Sequence, residues 1–302
     1  MRFVRRIAPP PALDCPELTD TPTSPPVVLA CRSVSRGEKL ASTLKAAAKE
    51  AGVANPVVEV AELDLSSMAS VRAFAAAWSS RKQPLDCLVN NAGIFNMAAK
   101  TPVVADSSGG HEEHWVTNFL APVLLALLLL PSLRAAPGGA RVVNVSSIMH
   151  TVGRVNLLDP SFRARPFDPT AAYSQSKLAS VAFMKELERR MEGVGVTSVR
   201  CMSVHPGNVV TGVVRSLPPF VQFIYRTVLG RILLSPEEGA RSAVFCAASN
   251  QAADAPRPGA YFDSTCKAGW LHEDADNPFL GKGLWEYTLR ELQLDEKDVL
   301  RK

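Results

Sequence analysis

No glycine precedes Val27, so the first 26 residues hold no glycine-lined turn of the kind that lets a backbone approach a phosphate. No Cys-x-x-Cys occurs either. The six cysteines (Cys15, Cys31, Cys87, Cys201, Cys246 and Cys266) lie far apart, mostly within apolar runs where a free thiol behaves as a small hydrophobe. That pattern reads as a reduced, intracellular protein. No apolar run reaches the roughly 20 residues that cross a bilayer; the longest, Phe119 to Leu133, reads as a buried helix. A dense basic stripe with interleaved aromatics is missing too, which with a net charge of only +4 argues against nucleic acid as a partner. The first 13 residues carry arginines and no acids, which hints at organellar targeting. They have no apolar signal core, however, and Asp14, Glu17 and Asp20 follow, so a cytoplasmic location is expected.

What is present is an ordinary globular composition: 302 residues, 47% hydrophobic and 21% charged. Residues 8 to 26 hold seven prolines and read as an irregular arm. The expected organisation is therefore a Pro-rich arm over 1–25 and one domain over 26–302, with no internal repeat.

From Val27 onward short apolar runs alternate with helix-forming stretches. Strands are expected at 27–31, 57–63, 85–90, 141–146 and 196–204, and helices at 36–51, 66–81, 111–133 and 169–192. Such alternation implies right-handed crossovers and a doubly wound parallel α/β sheet covered on both faces. Ligands in such sheets sit beyond the carboxyl ends of the strands.

Those ends carry chemistry. After the first strand come Arg32 and Arg36, with no acidic residue to hold a free ribose 2'-hydroxyl; a guanidinium there suits a 2'-phosphate, or is a solvated opening of a helix. Asp64 follows the second strand, where it serves the local turn or faces an adenine edge, and Ser66 or Ser67 caps the next helix. Asn90-Asn91-Ala92-Gly93 offers small residues that allow close backbone approach. Ser146-Ser147 and His205-Pro206-Gly207, with Thr211 beyond, complete the set. Tyr173 and Lys177 stand four residues apart on one face of a helix. An ammonium there is expected to lower the phenol pKa from about 10, making Tyr173 a candidate general acid or base.

Asn90-Asn91-Ala92-Gly93, Asn118, the serine pair, Tyr173-x-x-x-Lys177 and Pro206-Gly207-x-x-x-Thr211, in this order, resemble the short-chain dehydrogenase/reductase family over roughly residues 26 to 292. Leu29 to Ser33, the long loop from Ser147 to Tyr173, and the tail from Gly259-Ala260-Tyr261-Phe262 to Leu284-Trp285-Glu286 look most like its retinol dehydrogenase and WW-domain oxidoreductase branch. The resemblance implies a Rossmann-like fold and a reaction between a carbonyl and an alcohol. In it Tyr173 exchanges the proton, Ser147 hydrogen-bonds the carbonyl oxygen, Lys177 holds the nicotinamide ribose, and Asn118 anchors a water chain. Asp64, Asn90, Ala92, Gly93, Pro206, Gly207 and Thr211 would line NADP(H), with Arg32 on its 2'-phosphate. Bulky apolar substrates such as retinoids or steroids, and a homodimer formed through the helices at 111–133 and 169–192, are implied in the same way.

The family opens with a strand and a glycine-rich turn, and this sequence shows neither. Two expectations follow: Arg2 to Ile7 substitutes as a short strand, or the sequence is an incomplete or inactive relative that acts as a binding scaffold. The stretch Leu217 to Leu234 is expected to form a lid over an apolar substrate, with peripheral membrane contact and ordinary core as the other readings. His111-Glu112-Glu113-His114 spaces its histidines three apart rather than four, so it reads as a solvated acidic helix start and no metal is expected.

Overall fold

A computed structural model describes residues 26–104, 110–207 and 234–300. The arm over 1–25, including Arg2 to Ile7, Thr211, and all but the last residue of the expected lid lie outside the described residues.

The first half runs β1 (Val27–Cys31), α1 (Val34–Glu50), β2 (Val58–Glu62), α2 (Met68–Ser80) and β3 (Cys87–Asn90). Then come α3 (Glu113–Arg134), β4 (Ala140–Val145), α4 (Pro169–Gly193) and β5 (Val199–Val204). The tail adds α5 (Pro236–Ala248), α6 (Asn250–Ala253), β6 (Ala260–Phe262), α7 (Pro278–Leu292) and α8 (Glu296–Leu300). Most expected boundaries hold within two or three residues. Strand β6, at three residues, is too short to show a periodic pattern.

Local chemistry starts the helices. Ser67 accepts the Ser70 N–H at the head of α2, Asp168 accepts the Thr170 N–H at the head of α4 with Pro169 in the first turn, and Ser235 with Glu238 forms a capping box on α5.

Every strand pair is parallel, but the strands form two groups. β1 pairs with β2, Val27 opposite Val58, while β3, β4, β5 and β6 pair in that order. Among the described residues no strand joins β1 to β3. Interior strands of a doubly wound sheet are buried on both faces, yet Val27 is 49% exposed and Val89 42% exposed. The two groups are tied instead through α2, which packs on α3. Leu63, Val71, Ala75 and Trp78 thereby enter the same hydrophobic cluster as Leu124, Leu129 and Leu133.

Helix α3 is long and apolar enough to cross a membrane by length and composition alone, and most of it is buried inside the fold. Trp115, Phe119, Phe183 and Trp285 are all fully buried and form a continuous aromatic chain, with Phe183 stacked on Trp285 at 5.5 Å. The two helices expected as dimer surfaces are largely covered by neighbouring elements among the described residues. α2 and α8 cover α3, α7 covers α4, and between Ala121 and Arg134 only Pro131 is exposed. The described cysteines are free.

Candidate active site

The carboxyl ends of β3, β4 and β5 bring Asn90 to Gly93, Ser146-Ser147 and His205 to Gly207 to one edge, where α3 and α4 also present side chains. Tyr173 and Lys177 sit in the first turns of α4, a helix whose start Asp168 and Pro169 fix. Asn118 sits in a wide turn, Val116–Leu120, where the hydrogen bond runs one residue further than in an α-helix. Such turns widen a helix locally and often mark functional positions.

Asn118 is 2% exposed and its side chain is filled by protein partners. Its Oδ1 accepts the Ile94 N–H at 2.8 Å, and its Nδ2 donates to the Ile94 carbonyl and to Ser176 Oγ, each at 3.0 Å. Beyond those bonds, only a second lone pair on Oδ1 is left for a water. Asn118 therefore fixes the loop after β3. Gly93 lies against it: a Cβ there would stand 3.1 Å from both Asn118 Oδ1 and Lys177 Nζ.

The two serines diverge as successive residues leaving a strand do. Ser146 Oγ donates to the Lys177 carbonyl within the fold, whereas the Ser147 hydroxyl accepts the Met149 N–H and lies near enough to the Tyr173 phenol to favour its ionised form. Of the pair, Ser147 is the one that meets Tyr173.

The electrostatics reverse one expectation. Tyr173 is pushed up from the ordinary tyrosine value, not down, because burial disfavours the phenolate more than the nearby Ser147 hydroxyl favours it. Lys177 sits 5.7 Å from the Tyr173 ring and is itself lowered to about 8 by burial. At neutral pH the site thus holds a protonated phenol beside a buried ammonium. Among the described residues that ammonium donates only to the Val145 carbonyl, at 3.0 Å, although it carries three donors.

The remaining expected site residues are more loosely gathered. Asn90 is buried with its amide towards the Pro122 carbonyl, and Ala92 is exposed at the same edge. Pro206 and Gly207 are half-buried, and Gly207 takes φ +85, a left-handed conformation that suits glycine. Asp64 is engaged locally, its Oδ1 accepting both the N–H and the hydroxyl of Ser66. Arg32 is exposed beyond β1, on the half-sheet that does not pair with β3.

Three residues of this edge stand outside the expected site residues. Phe95 stacks on the Tyr173 ring at 4.3 Å. His205 Nδ1 accepts the Ile148 N–H at 3.2 Å and the Gly207 N–H at 3.4 Å, joining the serine turn to the Pro-Gly turn. His114 sits edge-on to Tyr173. It and Glu112 are almost wholly buried, so the motif at 111–114 is not a solvated helix start. The side chains of Glu112, Glu113 and His114 converge, but both His114 nitrogens already have protein partners, which leaves no vacant metal site there.

A family profile described as short chain dehydrogenase matches residues 26–221. Retinol dehydrogenase 12 of Mus musculus is 35% identical over 263 residues, 87% of this chain and 77% of that protein. Retinol dehydrogenase 13 of Homo sapiens is 32% identical over 277 residues, 90% of this chain and 78% of that protein. Among solved structures, an uncharacterised protein from Mycobacterium Paratuberculosis matches with a TM-score of 0.65 at 31% identity, over 89% of this chain and 84% of that one. NADPH-bound carbonyl reductase from chicken fatty liver shares the fold, with a TM-score of 0.54 at 22% identity over 81% and 88%. The chain belongs to the short-chain dehydrogenase family, as an oxidoreductase related to the retinol dehydrogenases.

Proposed function

We propose that the protein is an NADP(H)-dependent oxidoreductase that interconverts a carbonyl and an alcohol on a bulky apolar substrate of the retinoid, steroid or lipid kind. The observation that carries the reading is the buried Tyr173 phenol with the Ser147 hydroxyl near it and the buried Lys177 ammonium 5.7 Å from its ring. A phenol held above its ordinary pKa stays protonated at neutral pH, as a donor to a carbonyl oxygen must. The Ser147 hydroxyl steadies the same oxygen as charge grows on it. Lys177 places a positive charge where the tyrosinate left behind needs one. The apolar class of substrate is supported by the relatives, which are named as retinol dehydrogenases.

The residues present fit the nicotinamide end of a dinucleotide. Among the described residues two N–H groups of the buried Lys177 ammonium have no acceptor, which suits ribose hydroxyls, and Asn90, Ala92, Gly93, Pro206 and Gly207 lie at the same edge. When bound, the reduced nicotinamide supplies the hydride. Arg32, with no acid among the residues that follow it up to Gly37, favours NADP(H) over NAD(H) through a 2'-phosphate. Asp64 and Thr211 complete the lining in this reading.

One observation favours a second reading. Among the described residues no glycine-rich turn stands beside β1 and β3 to hold a pyrophosphate, and the sheet is divided there. A chain that cannot hold the phosphates would act as a binding scaffold. Steady-state reduction of an apolar aldehyde such as retinaldehyde with NADPH, by the chain and by Tyr173→Phe, separates the two. Turnover lost in the variant supports the enzyme; no turnover in either, with no NADPH binding, supports the scaffold.

A further inference from the structure

The buried pair at the head of α3 has no part in the proton transfer just described, yet it touches the same tyrosine. Glu112 is 1% exposed and His114 is fully buried. Each oxygen of the Glu112 carboxylate has separate work. Oε2 accepts the N–H groups of His114 and Trp115 and so caps the helix; Oε1 accepts from His114 Nδ1 at 2.5 Å. On the far side of the ring, His114 Nε2 accepts the Asn96 N–H at 2.9 Å.

These bonds fix the tautomer. A nitrogen that accepts from a backbone N–H carries no proton, so the ring is neutral with its proton on Nδ1, directed at the carboxylate. A carboxylate orients a histidine here, as it does in many catalytic sites, but the free lone pair that would make the histidine a base is already occupied. The pair is committed to holding the loop after β3.

That loop is held at several points. Asn118 holds Ile94 through both backbone groups, His114 holds the Asn96 backbone, and Glu113 Oε1 accepts from the Asn96 side chain at 2.8 Å. Phe95 lies between the two held residues. Its ring stacks on Tyr173 with centroids 4.3 Å apart and planes 17° from parallel, while the His114 ring closes the corner edge-on, 6.3 Å from Phe95 and 6.2 Å from Tyr173. Asn118 and the aromatic corner therefore act on neighbouring residues of one turn, and only the second reaches the phenol.

We propose that Glu112 and His114 are positioning residues for Tyr173, acting through Asn96 and Phe95: the pair holds the turn so that Phe95 covers one face of the phenol ring. The cover does two things. It fixes the plane of the ring, and hence the direction in which the hydroxyl points, and it keeps water from that face, which contributes to the burial that holds the phenol protonated. It also sets the width of the substrate site on that side, so Phe95 is the residue that decides how bulky a group can lie beside the hydroxyl. The catalytic part of this inference rests on Tyr173 being the proton donor; the geometric part does not.

The test uses the full chain labelled with ring-13C tyrosine. The sequence has only four tyrosines, and Tyr173→Phe identifies the signal of interest. His114→Phe removes the acceptor for Asn96, His114→Gln keeps an acceptor near the Nε2 position, and Phe95→Ala removes the cover. Phe95→Ala and His114→Phe should each shift the Tyr173 signal and move its alkaline titration down towards the ordinary value near 10. His114→Gln should stay near wild type, and the double variant should titrate with Phe95→Ala alone, since both changes break one chain of contacts. If His114→Phe does not fold, Asn96→Pro deletes the N–H at the other end of the same bond. A Tyr173 signal and titration unchanged in a folded His114→Phe or Asn96→Pro protein would overturn the proposal, as would full additivity in the double variant. This arm reads the same whether or not the chain turns over. In an active protein, His114→Phe should lower kcat by on the order of ten- to a hundredfold with the KM for NADPH unchanged, as misplacement of a reacting group does.

Discussion

Asn118 brackets Ile94 from both sides, its Oδ1 accepting the Ile94 N–H at 2.8 Å while its Nδ2 donates to the Ile94 carbonyl at 3.0 Å. One amide thereby supplies the hydrogen bonds that a strand partner would have given this residue just past the end of β3. Asn118→Leu keeps the volume and removes both bonds, leaving two backbone groups without their partners. Each such group costs about 1–3 kcal/mol, so a loss of about 2–6 kcal/mol in urea unfolding is expected. A change below about 0.5 kcal/mol would show that the bracket contributes little.

Tyr173→Phe should remove turnover and leave NADPH affinity close to wild type, because only the proton donor is lost. General acid catalysis contributes about 10²–10⁴-fold, and kcat should fall by that order. Steady-state kinetics beside a fluorescence titration of NADPH check both halves; unchanged kcat would contradict the assignment.

Lys177 gives a stability prediction with a definite sign. Burial lowers its pKa from 10.5 to about 8, so the folded chain holds this proton less tightly than the unfolded one. The cost of burying the charge is full below about pH 8, shrinks as pH rises towards 10.5, and is gone above it. Lys177→Met should accordingly stabilise the fold at pH 7, by up to about 3 kcal/mol before the lost bond to the Val145 carbonyl is subtracted, and the gain should fade by pH 10. Urea midpoints at pH 7 and pH 10 measure it. The same variant should lose cofactor affinity, a trade of function for stability.

Gly93→Ala places a methyl 3.1 Å from both Asn118 Oδ1 and Lys177 Nζ. One of the two must yield, and either shift disturbs the corner that holds Tyr173. Turnover should fall by at least tenfold while stability changes by about 1–2 kcal/mol. Equal kcat would mean that the corner tolerates the displacement.

The alternating strands and helices were legible because their patterns are long: α4 and the strands β4 and β5 fall close to where periodicity puts them. Asn118, Ser147, Tyr173 and Lys177 were legible as a family pattern, and the fold brings them to one edge. What the sequence hid was direction and burial. The pairing of Tyr173 with Lys177 suggested a lowered phenol pKa, but no spacing shows that desolvation would win. His114 and Glu112 looked solvated because a charged run at a helix start usually is, but both are buried, and Ser161 accepts the Glu112 N–H from 49 positions away. Phe95 carries no motif, and its role is set by where two other residues hold its neighbours.

The most direct test of the central claim is a titration of the full 302-residue chain with NADPH, following thermal unfolding and nicotinamide fluorescence together. The account predicts saturable binding and a rise in Tm that keeps pace with it, worth about 2.7 kcal/mol at a hundred times Kd. A cooperative unfolding transition that NADPH does not move, with no fluorescence change, would contradict it and leave the scaffold reading in its place.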